Sequence, residues 1–265
     1  MRTLDPPSSG RELVRVEITG HTAVLTLDRP EARNAINPEM SSAIEAAIDR
    51  AESADDVWAV VLASSAEVFC AGADLKTVAS GSFAGIETVR GGFAGLVKRK
   101  RTKPLIVAVE GAALAGGCEI ALAADLLVAS ANARFGLPEV KRSLVAGAGG
   151  VMRLPRVLPR NIAMKMVLTG DPITAAEAAA HGMVADLTPP GEALPRALLL
   201  AARMNDAAPL AVRASRQALL DCLEASEEEG WRISWQAANS LFDTEDFREG
   251  PRAFVEKRVP QWKAC

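Results

Sequence analysis

One stretch of the chain, residues 104–124, restricts the possible folds more than any other. It opens with an apolar, β-branched run, Leu105–Val109, and continues through small residues to the pair Gly116-Gly117. A periodic run over 118–124 follows the glycines. This order predicts a buried strand, a glycine-rich turn and a helix. The first N–H groups of a helix have no acceptor within it, so such a turn can stabilise an anion.

Two glutamates lie near this turn in the pattern. Glu119 falls in the first turn of the predicted helix, and Glu139 precedes a small-residue loop at 147–150. Each also has an ordinary explanation, because Glu119 suits the helix dipole and Glu139 suits a solvated loop. If the two carboxyls meet away from water, one pKa rises and that group can transfer a proton near neutral pH. Sequence spacing alone does not show that they meet.

A second small-residue loop, 71–74, also follows a predicted buried strand, 57–63. Two such loops at the same end of a sheet could direct two N–H groups at one oxygen, which is the geometry of an oxyanion hole. A lone glycine pair is more often a tight turn, so that alternative stays open. The pattern is neither G-x-G-x-x-G nor a P-loop, which disfavours a dinucleotide or nucleoside triphosphate site.

The histidines and cysteines form no familiar catalytic or metal-binding set. His21 and His181 are not placed for a Ser-His-Asp or Cys-His enzyme. The four cysteines are scattered, without C-x-x-C or Cys/His ligand spacing. We therefore expect no metal site and no disulfide framework, and a reducing compartment fits this cysteine usage best.

The strongest charge cluster is a basic run at 98–103. It is typical of a solvated helix end, although it could also contact a phosphate-bearing ligand or nucleic acid. A net charge of −3 and the absence of interleaved aromatic residues argue against nucleic acid. No apolar run reaches the ~18 residues of a membrane span, and the N-terminus lacks the apolar segment of a signal peptide. We expect a cytoplasmic protein without nucleic-acid or membrane partners.

The order of predicted elements changes near residue 190. Before it, strands and helices alternate, beginning with a hairpin over 13–19 and 23–27 and including a predicted helix over 84–100 despite its four glycines. Beyond it, only helical patterns remain. Apolar residues make up 49% of the chain, which is enough to bury a large core. We predict an α/β core over 1–190 and a helical C-terminal region over 191–265.

Several spaced motifs carry a resemblance to a known family. They lie at 29–35, 69–76, 103–119, 135–139, 147–150, 168–171 and 249–254. In them the chain resembles the enoyl-CoA hydratase/isomerase, or crotonase, superfamily over nearly its whole length. The resemblance implies a crotonase-like spiral of ββα units with a helical C-terminal trimerisation region. It also implies an acyl-CoA thioester substrate, a homotrimer or homohexamer, and no cofactor besides the coenzyme A of the substrate.

The resemblance also implies roles for individual residues. The N–H groups of Ala73 and Gly116 would hold the thioester oxygen. Glu119 would activate a water, and Glu139 would exchange a proton at Cα; members that retain both glutamates catalyse hydration and its reverse. The residues implied for substrate or coenzyme A binding are Arg33, Ala35, Ala71, Ala73, Asp74, Leu75, Lys76, Gly116, Gly147, Phe254 and Lys257.

Departures from the common pattern leave alternatives open. Ala146 stands where many hydratases have proline, Ser143 replaces a commoner glycine, and Lys141-Arg142 stand where straight-chain hydratases are often apolar. The string at 137–142 is similar to that of carnitinyl-CoA dehydratase-like members. The first alternative is therefore a carnitinyl-CoA-type dehydratase or an enoyl-CoA isomerase of the same fold. The second is a non-catalytic member that binds RNA or a partner through the basic run.

Overall fold

A computed structural model describes residues 2–3, 12–80 and 84–265 of the chain. Its strands are β1 (Arg2–Thr3), β2 (Val14–Thr19), β3 (Thr22–Leu27), β4 (Ala59–Ser64), β5 (Glu87–Thr88), β6 (Gly92–Phe93), β7 (Leu105–Val109), β8 (Ala112–Leu114), β9 (Leu126–Ser130), β10 (Arg134–Gly136), β11 (Ile173–Thr174) and β12 (Asp186–Thr188). Its helices are α1 (Pro38–Ser53), α2 (Leu75–Ala79), α3 (Gly116–Leu122), α4 (Gly150–Val157), α5 (Arg160–Thr169), α6 (Ala175–Ala180), α7 (Ala193–Asn205), α8 (Pro209–Cys222), α9 (Glu227–Asn239) and α10 (Glu245–Glu256). Short 3₁₀ helices cover Pro30–Ala32 and Pro138–Arg142.

A seven-stranded sheet forms the first layer, in the order β1-β2-β3-β4-β7-β9-β12. The predicted hairpin is confirmed: β2 and β3 pair antiparallel around Gly20-His21, with Thr19 opposite Thr22. From β3 to β12 the neighbouring strands are parallel. Strands buried on both faces read as continuous apolar runs, as β7 does.

A second, smaller layer runs beside this sheet. It contains β11-β10-β8 and continues through single bridges between Cys70 and Ala113 and between Ile36 and Ala73. The chain repeatedly passes from the large sheet to the small layer and then into a helix, as in β7, β8 and α3. The predicted spiral of ββα units is therefore confirmed.

Two apolar cores lie on opposite sides of the large sheet. The larger one contains fully buried side chains such as Leu25, Leu62, Phe69 and Phe135. The second lies under α7, which places small residues against the sheet: Ala193, Ala197 and Ala201 pack with Ala59, Val61, Ala63, Ile106, Ala108 and Val128. The division at residue 190 stays a prediction, and α7 belongs to the same packed unit as the strands.

The segment 84–100 contradicts its predicted helix. It forms turns and the short hairpin β5–β6 instead. Gly92 and Gly95 adopt φ of 65° and 63°, which side chains rarely tolerate, and a Cβ on Gly91 would lie 2.0 Å from the carbonyl of Gly95. Arg90 and Arg99 both bind Asp49 on α1 and hold the segment there.

Most of the basic run 98–103 is used inside the protein. Besides Arg99, the Arg101 guanidinium binds Asp125 at 2.9 Å, and Lys103 Nζ donates to the carbonyls of Ala51 and Ala54 at the end of α1. Three of its charges therefore hold neighbouring elements together rather than forming an exposed basic surface.

One acidic residue fastens the C-terminal helices to the core. Asp125 lies just after α3, and its Oδ2 forms an ion pair with Arg101. Its Oδ1 forms a second ion pair with Arg216 on α8, whose Nε lies 2.8 Å away. Arg216 also donates to the Arg101 carbonyl at 2.9 Å. Burial opposes ionisation, but the two guanidinium groups hold the pKa of Asp125 below its usual value.

Within the described residues, no helix is long and apolar enough to cross a membrane.

Candidate active site

Two small-residue loops meet at the start of α3. A Cβ placed on Gly72 would lie 2.7 Å from Ala115 Cβ and 3.0 Å from the Gly116 nitrogen. A Cβ on Gly117 would lie 2.1 Å from the Cys70 carbonyl oxygen. The loops at 70–74 and 114–117 can therefore approach this closely only because glycines stand at the contact.

The N–H groups of Ala73 and Gly116 lie on either side of this contact. The bridge between Ile36 and Ala73 uses the Gly72 carbonyl and the Asp74 N–H, which leaves the Ala73 N–H pointing elsewhere. Gly116 is the first residue of α3, where an N–H has no acceptor within the helix. Across residues 12–80 and 84–265, no protein acceptor is hydrogen-bonded to either group.

The backbone is strained just before Gly116. Ala115 has φ 51° and ψ −129°, a conformation that costs a residue with a side chain on the order of 1–3 kcal/mol. Its N–H donates to the Gly136 carbonyl at 2.9 Å, which helps to hold it there. Strain of this kind concentrates at functional sites because it orients backbone groups that relaxed geometry would turn away.

Glu119 is buried one turn into α3, with 3% of its surface exposed. The N–H of Gly150, at the start of α4, donates to its Oε1 at 2.9 Å. Burial and, to a smaller extent, the charge of Glu139 raise the pKa of Glu119 to about 7, against the lowering effect of the Gly150 N–H. Glu119 is thus a carboxyl that changes protonation near neutral pH.

Glu139 lies in the first turn of the 3₁₀ helix Pro138–Arg142. Burial raises its pKa as well. Its Oε2 is fully buried and has no hydrogen-bond partner among the described residues. Its charge reaches both Glu119 and the neighbouring Cys118, whose buried thiol has its pKa raised. The structure therefore brings the two predicted glutamates within reach of each other's charge.

The loop 146–150 closes over Glu119. A Cβ on Gly150 would lie 2.8 Å from Ala146 Cβ and 3.0 Å from both Glu119 Oε1 and a Leu137 methyl, so glycine is needed there. At Gly147, by contrast, the nearest atom to a Cβ would be the Val145 carbonyl oxygen at 3.7 Å. Gly147 therefore borders open space beside the carboxyl pair.

Comparison with known proteins identifies the family. The sequence profile described as Enoyl-CoA hydratase/isomerase matches residues 17–264. The chain belongs to the enoyl-CoA hydratase/isomerase family. It is 40% identical to the enoyl-CoA hydratase EchA19 of Mycobacterium tuberculosis, over 94% of this chain and 95% of that protein. It is also 40% identical to the carnitinyl-CoA dehydratase of Salmonella arizonae, over 95% of this chain and 98% of that one.

A solved structure agrees with this assignment. The crystal structure of an enoyl-CoA hydratase from Mycobacterium tuberculosis H37Rv superposes with a TM-score of 0.92 at 40% identity. The match covers 96% of this chain and all of that one. The spiral fold and the position of the chain within the enoyl-CoA hydratase/isomerase family therefore rest on independent comparisons.

Most residues predicted to bind coenzyme A cluster around the first loop. The Ala71 N–H donates to the Arg33 carbonyl at 3.1 Å, and Arg33 itself adopts φ 52°. Arg29 joins this cluster, donating to the Ala35 carbonyl at 2.9 Å and to Asp74 at 2.8 Å. Asp74 thus braces the loop and caps α2, and its carboxylate is already satisfied.

The other predicted binding residues differ in setting. Leu75 and Lys76 are exposed at the start of α2. Phe254 is 85% exposed near the end of α10, and Lys257 follows in a left-handed conformation. No hydrogen bond or ion pair of the described residues joins Phe254 or Lys257 to the 71–76 loop. Their contact with a substrate held by a neighbouring subunit stays a prediction.

Two departures from the family pattern have a structural explanation. Ser143 adopts φ 58°, the left-handed region where glycine is commoner, and ends the 3₁₀ helix that carries Glu139. Lys141 binds Asp171 at 2.6 Å, a pair exposed to solvent on both sides. Lys141 therefore braces this helix from outside, and Arg142 is exposed beside it.

Arg153 acts on the site although the sequence pattern predicted no site role for it. Its guanidinium Nη2 donates to the Val97 carbonyl at 2.6 Å, and its charge acts on Glu119. The available signal was a basic residue inside the apolar pattern that follows the glycine loop.

Among the residues with described positions, no group of three His, Cys, Asp or Glu side chains could hold a metal ion. That the reaction needs no cofactor besides the coenzyme A of the substrate stays a prediction.

Proposed function

We propose that this protein is an enoyl-CoA hydratase, which reversibly adds water across the α,β double bond of an acyl-CoA thioester. The observation that carries this proposal is the pairing of two poorly compensated glutamates, Glu119 and Glu139, beside two backbone N–H groups without protein acceptors. The sequence relatives named as hydratases support the same reaction class.

The chemistry follows from what each group can do. The N–H groups of Ala73 and Gly116 donate to the thioester oxygen and stabilise the negative charge that develops there. Ionised Glu119 takes a proton from water, whose oxygen bonds to Cβ. Protonated Glu139 delivers a proton to Cα, so that the elements of one water are added. The reverse sequence eliminates water.

The raised pKa values suit these roles. A general acid or base works best when its pKa lies near the working pH, and each such group contributes about 10² to 10⁴ in rate. Two interacting carboxyls lose their protons in two separate steps, so one can stay protonated while the other is ionised. Glu119 accepts the Gly150 N–H, which stabilises its ionised form in the direction that a base needs.

The first alternative keeps the site and changes the substrate or the reaction. The similarity to a carnitinyl-CoA dehydratase favours a dehydratase of that kind over an isomerase, since dehydration uses both glutamates. The second alternative, RNA or partner binding through the basic run, is disfavoured because Arg99, Arg101 and Lys103 are engaged inside the protein. Of the basic residues in the run, only Lys98 and Lys100 are exposed.

We further propose a cytoplasmic homotrimer, alone or paired into a homohexamer. The C-terminal helices support an assembly because they expose large apolar side chains at helical spacing. Trp231 and Trp235 on α9 are 64% and 61% exposed, and Leu219 on α8 and Leu223 just after it are similarly exposed. A monomer would leave these side chains in water. Sedimentation equilibrium of the intact protein measures the state directly.

Steady-state kinetics test the catalytic proposal. Glu139→Gln and Glu119→Gln should each lower kcat for crotonyl-CoA by about 10² to 10⁴, with little change in affinity for the thioester. Glu87→Gln is the matched control, because Glu87 is exposed on β5 and should leave kcat unchanged. An unaltered kcat in either site variant removes that glutamate from the mechanism. Parallel assays with crotonobetainyl-CoA decide between the hydratase and the carnitinyl-CoA-type alternative.

A further inference from the structure

Arg153 occupies a central position between the two halves of the candidate site. It lies in the first turn of α4, directly after the loop that covers Glu119, and is only partly exposed. Its Nη2 donates to the Val97 carbonyl at 2.6 Å, and its Nη1 makes a longer contact, 3.4 Å, with the Ala148 carbonyl. One guanidinium therefore joins two segments that are far apart in sequence.

Each of these segments touches a proposed catalytic group. On one side, the loop 146–150 provides the Gly150 N–H that donates to Glu119. On the other side, Val97 follows Phe93, whose ring packs so closely on Gly116 that a Cβ there would lie 2.3 Å from it. Movement of either segment would displace Glu119 or Gly116.

The packing around the guanidinium is specific. A Cβ on Gly149 would lie 2.1 Å from Arg153 Nη1, so the glycine leaves the space that the guanidinium occupies. Gly149 itself has φ 111°, which lets the loop turn back over the arginine. A solvated surface arginine would need neither feature.

The charges around Glu119 come from three elements. Glu139 on the 3₁₀ helix is negative when ionised, Arg153 on α4 is positive, and Cys118 on α3 stays neutral because burial raises the pKa of its thiol. Arg153 in turn faces Glu119 and two other cations, Arg101 and Arg156. Arg153 is thus a positive group whose charge favours the ionised form of Glu119.

We propose that Arg153 is a positioning residue for Glu119, holding the 146–150 loop against the 93–97 segment and placing a positive charge beside the carboxylate. This inference rests on the proposed function, in which ionised Glu119 activates water. The sign of the effect follows: removing the positive charge disfavours the ionised carboxylate, raises the pKa of Glu119 and moves the acid limb of the kcat/KM profile to higher pH.

The test compares pH profiles of variants of the full-length protein with crotonyl-CoA. Arg153→Gln should move the acid limb to higher pH by a measurable fraction of a pH unit, because a nearby opposite charge is lost. Arg153→Lys should keep the limb near its wild-type position, because the charge remains. Its kcat should still fall, because an amine cannot span both carbonyls as the planar guanidinium does. Arg156→Gln, which removes an exposed charge three residues further along α4, should change neither quantity.

The outcomes separate this inference from the proposed function. If Glu119→Gln retains full activity, the proposed function fails and the arginine test has no basis. If Glu119→Gln is inactive but Arg153→Gln lowers kcat without moving the acid limb, Arg153 is only structural and the inference is wrong. If the glutamine variant does not fold, the lysine variant decides: a displaced limb or an unchanged kcat refutes the inference.

Discussion

Two glutamates in different parts of the molecule are almost equally shielded from water, but their pKa values are shifted in opposite directions. Glu119 in the candidate site is 3% exposed, and Glu249 on α10 is 6% exposed. Burial raises the pKa of Glu119 to about 7. Hydrogen bonds from Arg258 and from the Gln261 N–H hold the pKa of Glu249 well below its usual range.

The difference lies in the partners. The Glu249 carboxylate accepts hydrogen bonds from Arg252, Arg258 and a backbone N–H, all of which favour its charged form. Glu119 receives the Gly150 N–H, faces Arg153, and has a second acid beside it. A shielded carboxyl with several cationic partners fastens the structure, whereas one with few partners and an acidic neighbour is available for proton transfer.

The largest expected effect that sharpens this contrast concerns stability and pH. The pKa of Glu119 is raised in the folded state, so the folded protein loses stability relative to Glu119→Gln as pH rises from about 4.5 to about 7. Above that window the gap should stay constant at about 3 kcal/mol in favour of the variant. Chemical denaturation between pH 4.5 and 8 measures it. A variant that is less stable than wild type throughout would contradict the raised pKa.

A smaller effect, of opposite sign, is expected at Glu249. Its folded-state pKa is lowered, so its contribution is present above the unfolded value and is lost as the pH falls below about 4.5. Glu249→Gln should lower the unfolding midpoint by several degrees at pH 7 and by much less at acid pH, with kcat unchanged. Glu256→Gln is the control, because Glu256 is the more exposed acidic partner of the same Arg258. An equal loss in both variants would mean that shielding does not matter here.

The smallest effect separates the partners of Glu249 from one another. Arg252 is 65% exposed and reaches one carboxylate oxygen, whereas Arg258 is 34% exposed and reaches both. Exposed ion pairs contribute little to stability because water and salt screen them. Arg252→Gln should therefore hardly change the thermal midpoint, while Arg258→Gln should lower it measurably. Equal midpoints in the two variants would refute this ranking.

Local rules predicted the elements whose cause is local. The β2–β3 hairpin follows from alternation on either side of Gly20-His21. The start of α6 follows from its capping box, in which Thr174 and Glu177 satisfy each other's backbone N–H groups. The strand–glycine–helix order at 105–122 was also confirmed. In each case the residues that decide the structure are within a few positions of one another.

The failed helix prediction has a local cause and a distant one. The helix predicted over 84–100 does not form, because glycines in left-handed conformations and two arginines on Asp49 fix a different path. Neither the contact to α1 nor the approach of Gly91 to Gly95 can be read from periodicity. Tertiary contacts outweigh helix propensity here.

The candidate site was predictable in its residues and not in its geometry. Family motifs indicated Glu119, Glu139, Ala73 and Gly116. The strained φ of Ala115, the closure of the 146–150 loop and the position of Arg153 depend on contacts between remote segments. Motifs identify which groups a site needs, but the surrounding contacts decide their charge and direction.

Asp125 has a consequence for how the protein can be shortened. A chain ending before Pro209 would retain every strand and both small-residue loops. It would lose Arg216, which is one of the two arginines that pair with Asp125. Asp125 lies just beyond the C-terminal end of α3, the helix that begins at Gly116. The last helices are thus linked through Asp125 to the helix that carries Gly116 and Glu119, and removing them would weaken the anchoring of its far end.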